Sequence, residues 1–264
     1  AHGFAQAQGK PRTDPREAAR AALASFWNGI VDMGALSEAQ RAPFELLMGH
    51  RASGSAVALW MHAISNFWSN TVSPYQSNPL DINPLRSFVA QQIDFEAIAR
   101  LPSLKVFVAA TRVSTGKAEV FSGKRLTVDA VMASACLPLL FQAVEIEGDH
   151  FWDGGYCGNP ALHPLIYHCA ARDIVLVQIN PIKRETLPTH SAAIMDRINE
   201  ITFNAGLVAE MRAIDFVKRL LAQGKLDPTR YKDVLLHRID GGEALEAFTA
   251  SSKTSLNARM IHAL

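Results

Sequence analysis

One carboxylate in this chain has neighbours that would suit a base: Asp153, in Trp152-Asp153-Gly154-Gly155-Tyr156. An aspartate followed by two glycines lies on backbone free to take positive φ, so it can be presented at a strand end. The flanking indole and phenol would shield it from water, a setting in which a carboxylate can take a proton from a nucleophile. Taken alone, the same residues read first as an ordinary Asp-Gly turn, and the catalytic reading prevails only together with Ala133–Phe141. Other groupings compete for the chemistry. Cys157, His163, His168 and Cys169 offer sulfur and imidazole, but without the Cys-x-x-Cys or His-x-x-x-His spacing that usually holds zinc. His150 lies near Asp153 and leaves a Ser-His-Asp triad formally open, although beside Gly148-Asp149 it reads better as loop polarity. Cys136 sits between alanine and leucine with no basic neighbour, so nothing activates its thiol. Neither a metal nor an organic cofactor is expected.

The elements that must position Asp153 follow from pattern. Lys105–Val113 reads as a strand, Thr115-Gly116-Lys117 turns it into a second over Ala118–Ser122, and a short helix spans Val128–Ala135. Val144–Gly155 reads as two short strands joined around Gly148, which places Asp153 at the end of the second. Asp173–Asn180 is a continuous apolar run, as in a parallel strand buried on both faces, and Asp233–Ile239 is another strand. Apolar positions 194, 198, 201, 208, 211, 214, 217 and 221 keep helical spacing. Upstream, Asp14-Pro15-Arg16-Glu17 starts a helix that Gly29 and Gly34 should end. Phe44–Trp68 is a second apolar helix whose stripe of Trp60, Met61, Ile64, Phe67 and Trp68 reads as core or as a lid over lipid. Ser73–Arg86, rich in proline and asparagine, is an ordered loop before a helix over Leu85–Ala99; a further helix starts at Asn257. Alternating strands and helices without repeats or a linker predict one α/β domain over residues 1–264.

Two linked features carry a resemblance. Ala133-Ser-Ala-Cys-Leu-Pro138 with Phe141 close behind, and Trp152-Asp-Gly-Gly155 with Asn159-Pro160 just after, resemble the patatin-like phospholipases, an acyl hydrolase family. The likeness extends through Ser73–Arg86, Thr111–Lys117 and Ile174–Pro181, and Tyr231–Lys253 is similar to one bacterial branch. The resemblance implies a three-layer sandwich around a mainly parallel central sheet. It implies a Ser-Asp dyad without histidine, Asp153 being the base, and substrate facing Gly154, Gly155, Trp60 and Phe67. Such an enzyme needs its serine on a Gly-x-Ser-x-Gly elbow and a glycine loop for the oxyanion. No Gly-x-Ser-x-Gly occurs between Ala1 and Leu264; Ser53-Gly-Ser55 lacks the preceding glycine, and Ser122-Gly123 follows a phenylalanine. In the family both elements lie ahead of this region, and Ala1-His-Gly-Phe-Ala5 resembles the end of the helix that follows the nucleophile. The expectation is a domain without its N-terminal strand and elbow, incomplete at its C-terminus too, and inactive alone unless the missing segment is supplied, for instance as a separate chain. The alternatives are a non-catalytic lipid- or partner-binding member of the fold, and an esterase of small or polymeric hydroxyacid esters.

The resemblance implies a lipid or ester substrate as partner, and composition argues against nucleic acid. A formal net charge of +1 over 264 residues provides no field for nucleic acid. Ser55–Ser65, the longest apolar stretch, is too short to cross a bilayer and carries His62. Three cysteines are an odd number for a disulfide framework, which favours a reducing compartment; the expectation is a cytoplasmic protein, in solution or peripheral at a membrane or lipid surface.

Overall fold

The computed structural model describes residues 1–7, 14–47, 73–138, 140–179 and 181–240. The helices are α1 (His2–Ala7), α2 (Pro15–Leu47), α3 (Pro74–Ser77), α4 (Pro84–Gln92), α5 (Phe95–Ala99), α6 (Val128–Ser134), α7 (His163–His168) and α8 (Ser191–Ala222). The strands are β1 (Phe107–Arg112), β2 (Ala118–Ser122), β3 (Val144–Ile146), β4 (Asp149–Asp153), β5 (Asp173–Gln178) and β6 (Leu235–Asp240). The chain is thus α/β. It divides into two compact units, one of Ala1–Leu104, Cys136–Gln142 and Thr254–Leu264, the other of Lys105–Ala135 and Ala143–Lys253. Trp60, Phe67 and the helix expected from Asn257 lie outside the described residues.

In the first unit α2 begins where its sequence signals place it, the Asp14 carboxylate accepting the Arg16 amide at 2.8 Å. It does not end at Gly29 or Gly34 but continues to Leu47. At Gly29 the reason is packing: a Cβ there would lie 2.5 Å from the Phe88 ring, which itself sits 5.3 Å from Phe26. That glycine makes room for an aromatic ring rather than stopping a helix. The Pro/Asn-rich segment is ordered as expected, yet it includes the single turn α3 and then α4. Between them the Asn78 side chain donates to the Ile82 carbonyl and accepts the Ile82 amide, each at 3.0 Å. The helix expected over Leu85–Ala99 is broken at Asp94, which caps α5 by accepting the Ala97 amide at 2.9 Å.

The second unit holds both sheets. Its first has the order β2-β1-β4-β3 and is antiparallel throughout. Alternate residues of these strands, Ala110, Phe121 and Phe151, are buried against Ala130 and Ala133 of α6. Phe121 and Phe151 meet edge-on at 5.4 Å. Further along the same face two arginines cover the rings, Arg112 at 5.7 Å over Phe151 and Arg125 at 5.0 Å over Phe121. The guanidiniums are held in a chain of ion pairs, Asp149–Arg112–Glu119–Arg125–Glu147, at 2.6–3.0 Å. Strands β3 and β4 join through Glu147-Gly148, both at positive φ (56° and 83°), the two-residue turn whose twist matches a hairpin.

The second sheet is the parallel pair β5–β6. Ile174 and Leu176 pack with Leu162, Leu207 and Val234, and Leu165, Ile166, Met211 and Ile214 extend that core. The pattern of β5 alternates: Ile174, Leu176 and Gln178 are buried while Val175, Val177 and Ile179 are exposed. The strand expected to be covered on both faces is therefore covered on one. The helix α7 was not legible in the sequence. Lys232 donates to the Ile166 and Cys169 carbonyls, and Lys105 to that of His168, so two cations cap its C-terminal end.

Two carboxylates tie stability to pH. Burial by itself would raise Glu119, but Arg125 and Arg112 outweigh it; burial would raise Glu200, 5% exposed, but Arg184 and Arg197 outweigh it. Both stay below the ordinary carboxylate value. The folded chain then holds fewer protons than the unfolded chain, so this stabilisation is complete above the unfolded value of about 4.3 and is lost as pH falls through the lowered folded values. Melting temperature should therefore drop on acidification below about pH 5. Glu200→Gln should be less stable at neutral pH by roughly 1–3 kcal/mol and should show a shallower acid decline. Parallel acid limbs for the two proteins would remove Glu200 from this account.

Candidate active site

Asp153 is the last residue of β4, half-buried, where antiparallel pairing with β1 ends at Ala110↔Asp153. The chain then closes into a single 3-10 turn, Gly154–Tyr156. The Asp153 Oδ1 accepts the Gly155 amide at 2.7 Å, so the carboxylate is held by the turn it begins. On the β1 side the buried Thr111 hydroxyl donates to the Asp153 carbonyl at 2.8 Å.

The two glycines are required, though not for positive φ as the sequence suggested. Neither Gly154 nor Gly155 has positive φ. A Cβ on Gly154 would fall 2.1 Å from the Ala109 carbonyl oxygen, and one on Gly155 would fall 2.3 Å from the Phe203 ring. The requirement is space: backbone passes against backbone on one side and against an aromatic ring on the other.

Helix α8 supplies that ring and more. Phe203 also lies 5.2 Å from Tyr156. One turn on, a Cβ at Gly206 would be 2.9 Å from the Cys157 carbonyl oxygen. One turn further, Glu210 accepts the Leu162 amide at 2.6 Å. Positions 203, 206 and 210 share a helix face, and this face supports the chain from Gly155 to Leu162. An aromatic, a glycine and a glutamate form no hydrophobic stripe, so the sequence shows no sign of it.

The rival groupings come apart in three dimensions. His150 and Asp153 are three residues apart on one strand, which directs them to opposite faces. Cys136 is buried and its thiol donates to the Gln142 carbonyl at 3.1 Å; the Cys157 thiol donates to the Gly116 carbonyl at 2.8 Å. His163 lies 3.9 Å from Glu210, and the His168 ring stacks on Phe107. Among the described residues no three His, Cys, Asp or Glu side chains gather as a metal site requires. The Ala133–Phe141 segment divides between the units, with Ala133–Ala135 in one and Cys136 onward in the other. What the Asp153 turn offers chemically is a carboxylate of fixed direction that can accept a proton.

A patatin-like phospholipase family profile matches residues 11–166, which include both Ala133–Phe141 and the Asp153 turn. No curated protein matches the chain.

The steric origin of the glycine requirement separates two substitutions. Gly148 has φ of 83° with nothing within 4 Å of its would-be Cβ. Asparagine, which tolerates that backbone, should therefore be accepted at 148. Gly154→Asn should cost roughly 1–3 kcal/mol or more through overpacking. Denaturant midpoints measure both, and equal midpoint losses would contradict the steric assignment.

Proposed function

Because the chain belongs to the patatin-like phospholipase family, we propose that it hydrolyses carboxylic esters of lipids in the manner of a phospholipase A, with Asp153 as the base of a Ser-Asp dyad. The observation that carries the reading is the carboxylate at the end of β4, held at 2.7 Å by the Gly155 amide inside the matched region. A serine hydroxyl attacks the acyl carbonyl while Asp153 takes its proton, and backbone amides of a glycine loop hold the oxyanion. The protonated Asp153 then gives its proton to the leaving alcohol. Water activated by the same carboxylate releases the acyl group. No step calls for a metal or an organic cofactor.

With no Gly-x-Ser-x-Gly in residues 1–264, the serine in this reading comes from a segment N-terminal to Ala1, in the same chain or a separate one. That segment would also complete a single domain around a mainly parallel sheet, with Gly154, Gly155, Trp60 and Phe67 facing substrate. Among the described residues no helix is long and apolar enough to cross a membrane, and the reading places the enzyme in the cytoplasm or on the surface of a lipid aggregate. The absent elbow equally favours a second reading, a non-catalytic member of the family that binds lipid.

In the full-length protein Asp153→Asn should keep its melting temperature and lose roughly 10²–10⁴-fold in ester hydrolysis, the usual contribution of a general base. A folded variant with near-normal kcat would exclude Asp153 from the mechanism. Residues 1–264 alone should neither cleave p-nitrophenyl esters nor take a fluorophosphonate label. Full-length protein that also refuses the label would favour the non-catalytic reading.

A further inference from the structure

The carboxylate of Asp153 acts at its side chain, but the chain holds this residue by its backbone. The aspartate side chain is aimed by the Gly155 amide, and that amide is aimed by the peptide planes between residues 153 and 155. The first of those planes carries the Asp153 carbonyl, which accepts the Thr111 hydroxyl at 2.8 Å. We infer that Thr111 is a positioning residue for the reaction: its hydroxyl sets the Asp153–Gly154 peptide plane and so the direction of the carboxylate. This rests on the reading of Asp153 as the base.

Three features make the linkage stiff. Thr111 is 6% exposed on β1, between two hydrogen-bonded neighbours, and in register with Trp152. Its β-branched side chain loses little freedom in a strand, so the hydroxyl meets the carbonyl with little entropy left to give up. Gly154, the next residue, has no room to rotate away, because the Ala109 carbonyl stands 2.1 Å from where its Cβ would be. The turn is therefore gripped by neighbouring residues of one strand, Ala109 through bulk and Thr111 through a hydrogen bond. Without the hydroxyl, the Asp153 carbonyl loses this donor and the hold on its peptide plane loosens. A tilt moves the Gly155 amide and the carboxylate with it, and small displacements of a base are costly in rate.

The test is a double-mutant cycle on p-nitrophenyl ester hydrolysis by the full-length protein. Thr111→Val keeps the shape and removes the donor. It should lower kcat roughly 10–100-fold with KM unchanged, and Thr111→Ser, which restores the donor, should recover most of the rate. In an Asp153→Asn background Thr111→Val should change the residual rate very little, because a residue that acts through the carboxylate has nothing left to position. A general loss of structure would instead lower both backgrounds alike, and that additivity would overturn the inference. So would wild-type kcat in Thr111→Val while Asp153→Asn is inactive, an outcome that leaves the base assignment standing. Near-normal activity in Asp153→Asn would remove the base itself, and the inference with it. Should Thr111→Val fail to fold, Thr111→Ser against Thr111→Cys makes the same comparison, hydroxyl against weak thiol donor; equal kcat in those two would overturn it.

Discussion

The backbone of Gly154 passes so near β1 that a methyl group on it would lie 2.1 Å from the Ala109 carbonyl oxygen. That approach determines how β4 can end. A strand that kept a side chain there would have to stand off from its neighbour, and the Ala110↔Asp153 pair would be lost. With no side chain, β4 stays paired to its last residue and turns at once, leaving Asp153 at the margin of the sheet. The next glycine yields its space to Phe203, so α8 can close on the turn. Direction of the carboxylate, pairing of the sheet and seating of a long helix all depend on two missing methyl groups.

The other end of the same sheet face is built on a different balance. Phe121 and Phe151 need cover that α6, only seven residues long, does not supply along their whole length. Arg112 and Arg125 supply it with the flat faces of their guanidiniums, and the acids of β2 and the β3–β4 hairpin keep the cations in place. Half-exposed ion pairs add little to stability singly. Here they are joined, and they hold two guanidiniums over rings that Ala130, Ala133, Val144 and Ile146 also pack against.

How much could be read beforehand depended on where the reason for each residue lies. The hairpins around Thr115-Gly116-Lys117 and Gly148, the short helix before Leu137 and the strand from Asp173 were legible because their patterns are local. Asp153 was legible as a strand-end carboxylate for the same reason. The glycines beside it were noticed for the wrong property, since nothing local distinguishes a glycine needed for φ from one needed for clearance. Gly29 misled in the same way, its explanation being a phenylalanine almost sixty residues away. Alternation of strands and helices suggested parallel pairing, but pairing is a property of partners: short turns force β1–β2 and β3–β4 antiparallel, and β1 meets the distant β4 antiparallel as well. Phe203, Gly206 and Glu210 gave no signal, and Thr111 showed only as one residue of the Thr111–Lys117 likeness, because each acts on a part of the chain far away in sequence.

The two lysines that cap α7 have a consequence for the order in which the chain assembles. A helix of six residues does not hold together alone. Its terminal carbonyls bond to Lys105 and Lys232, which lie 63 to 66 residues away on either side. Closing loops of that length comes late in folding. The C-terminal end of His163–His168 is therefore fully capped only once Lys105 and Lys232 are in place, and loosening of those distant parts should show as faster hydrogen exchange of its amides. A short helix in the middle of the chain thus reports on the integrity of the whole unit around it.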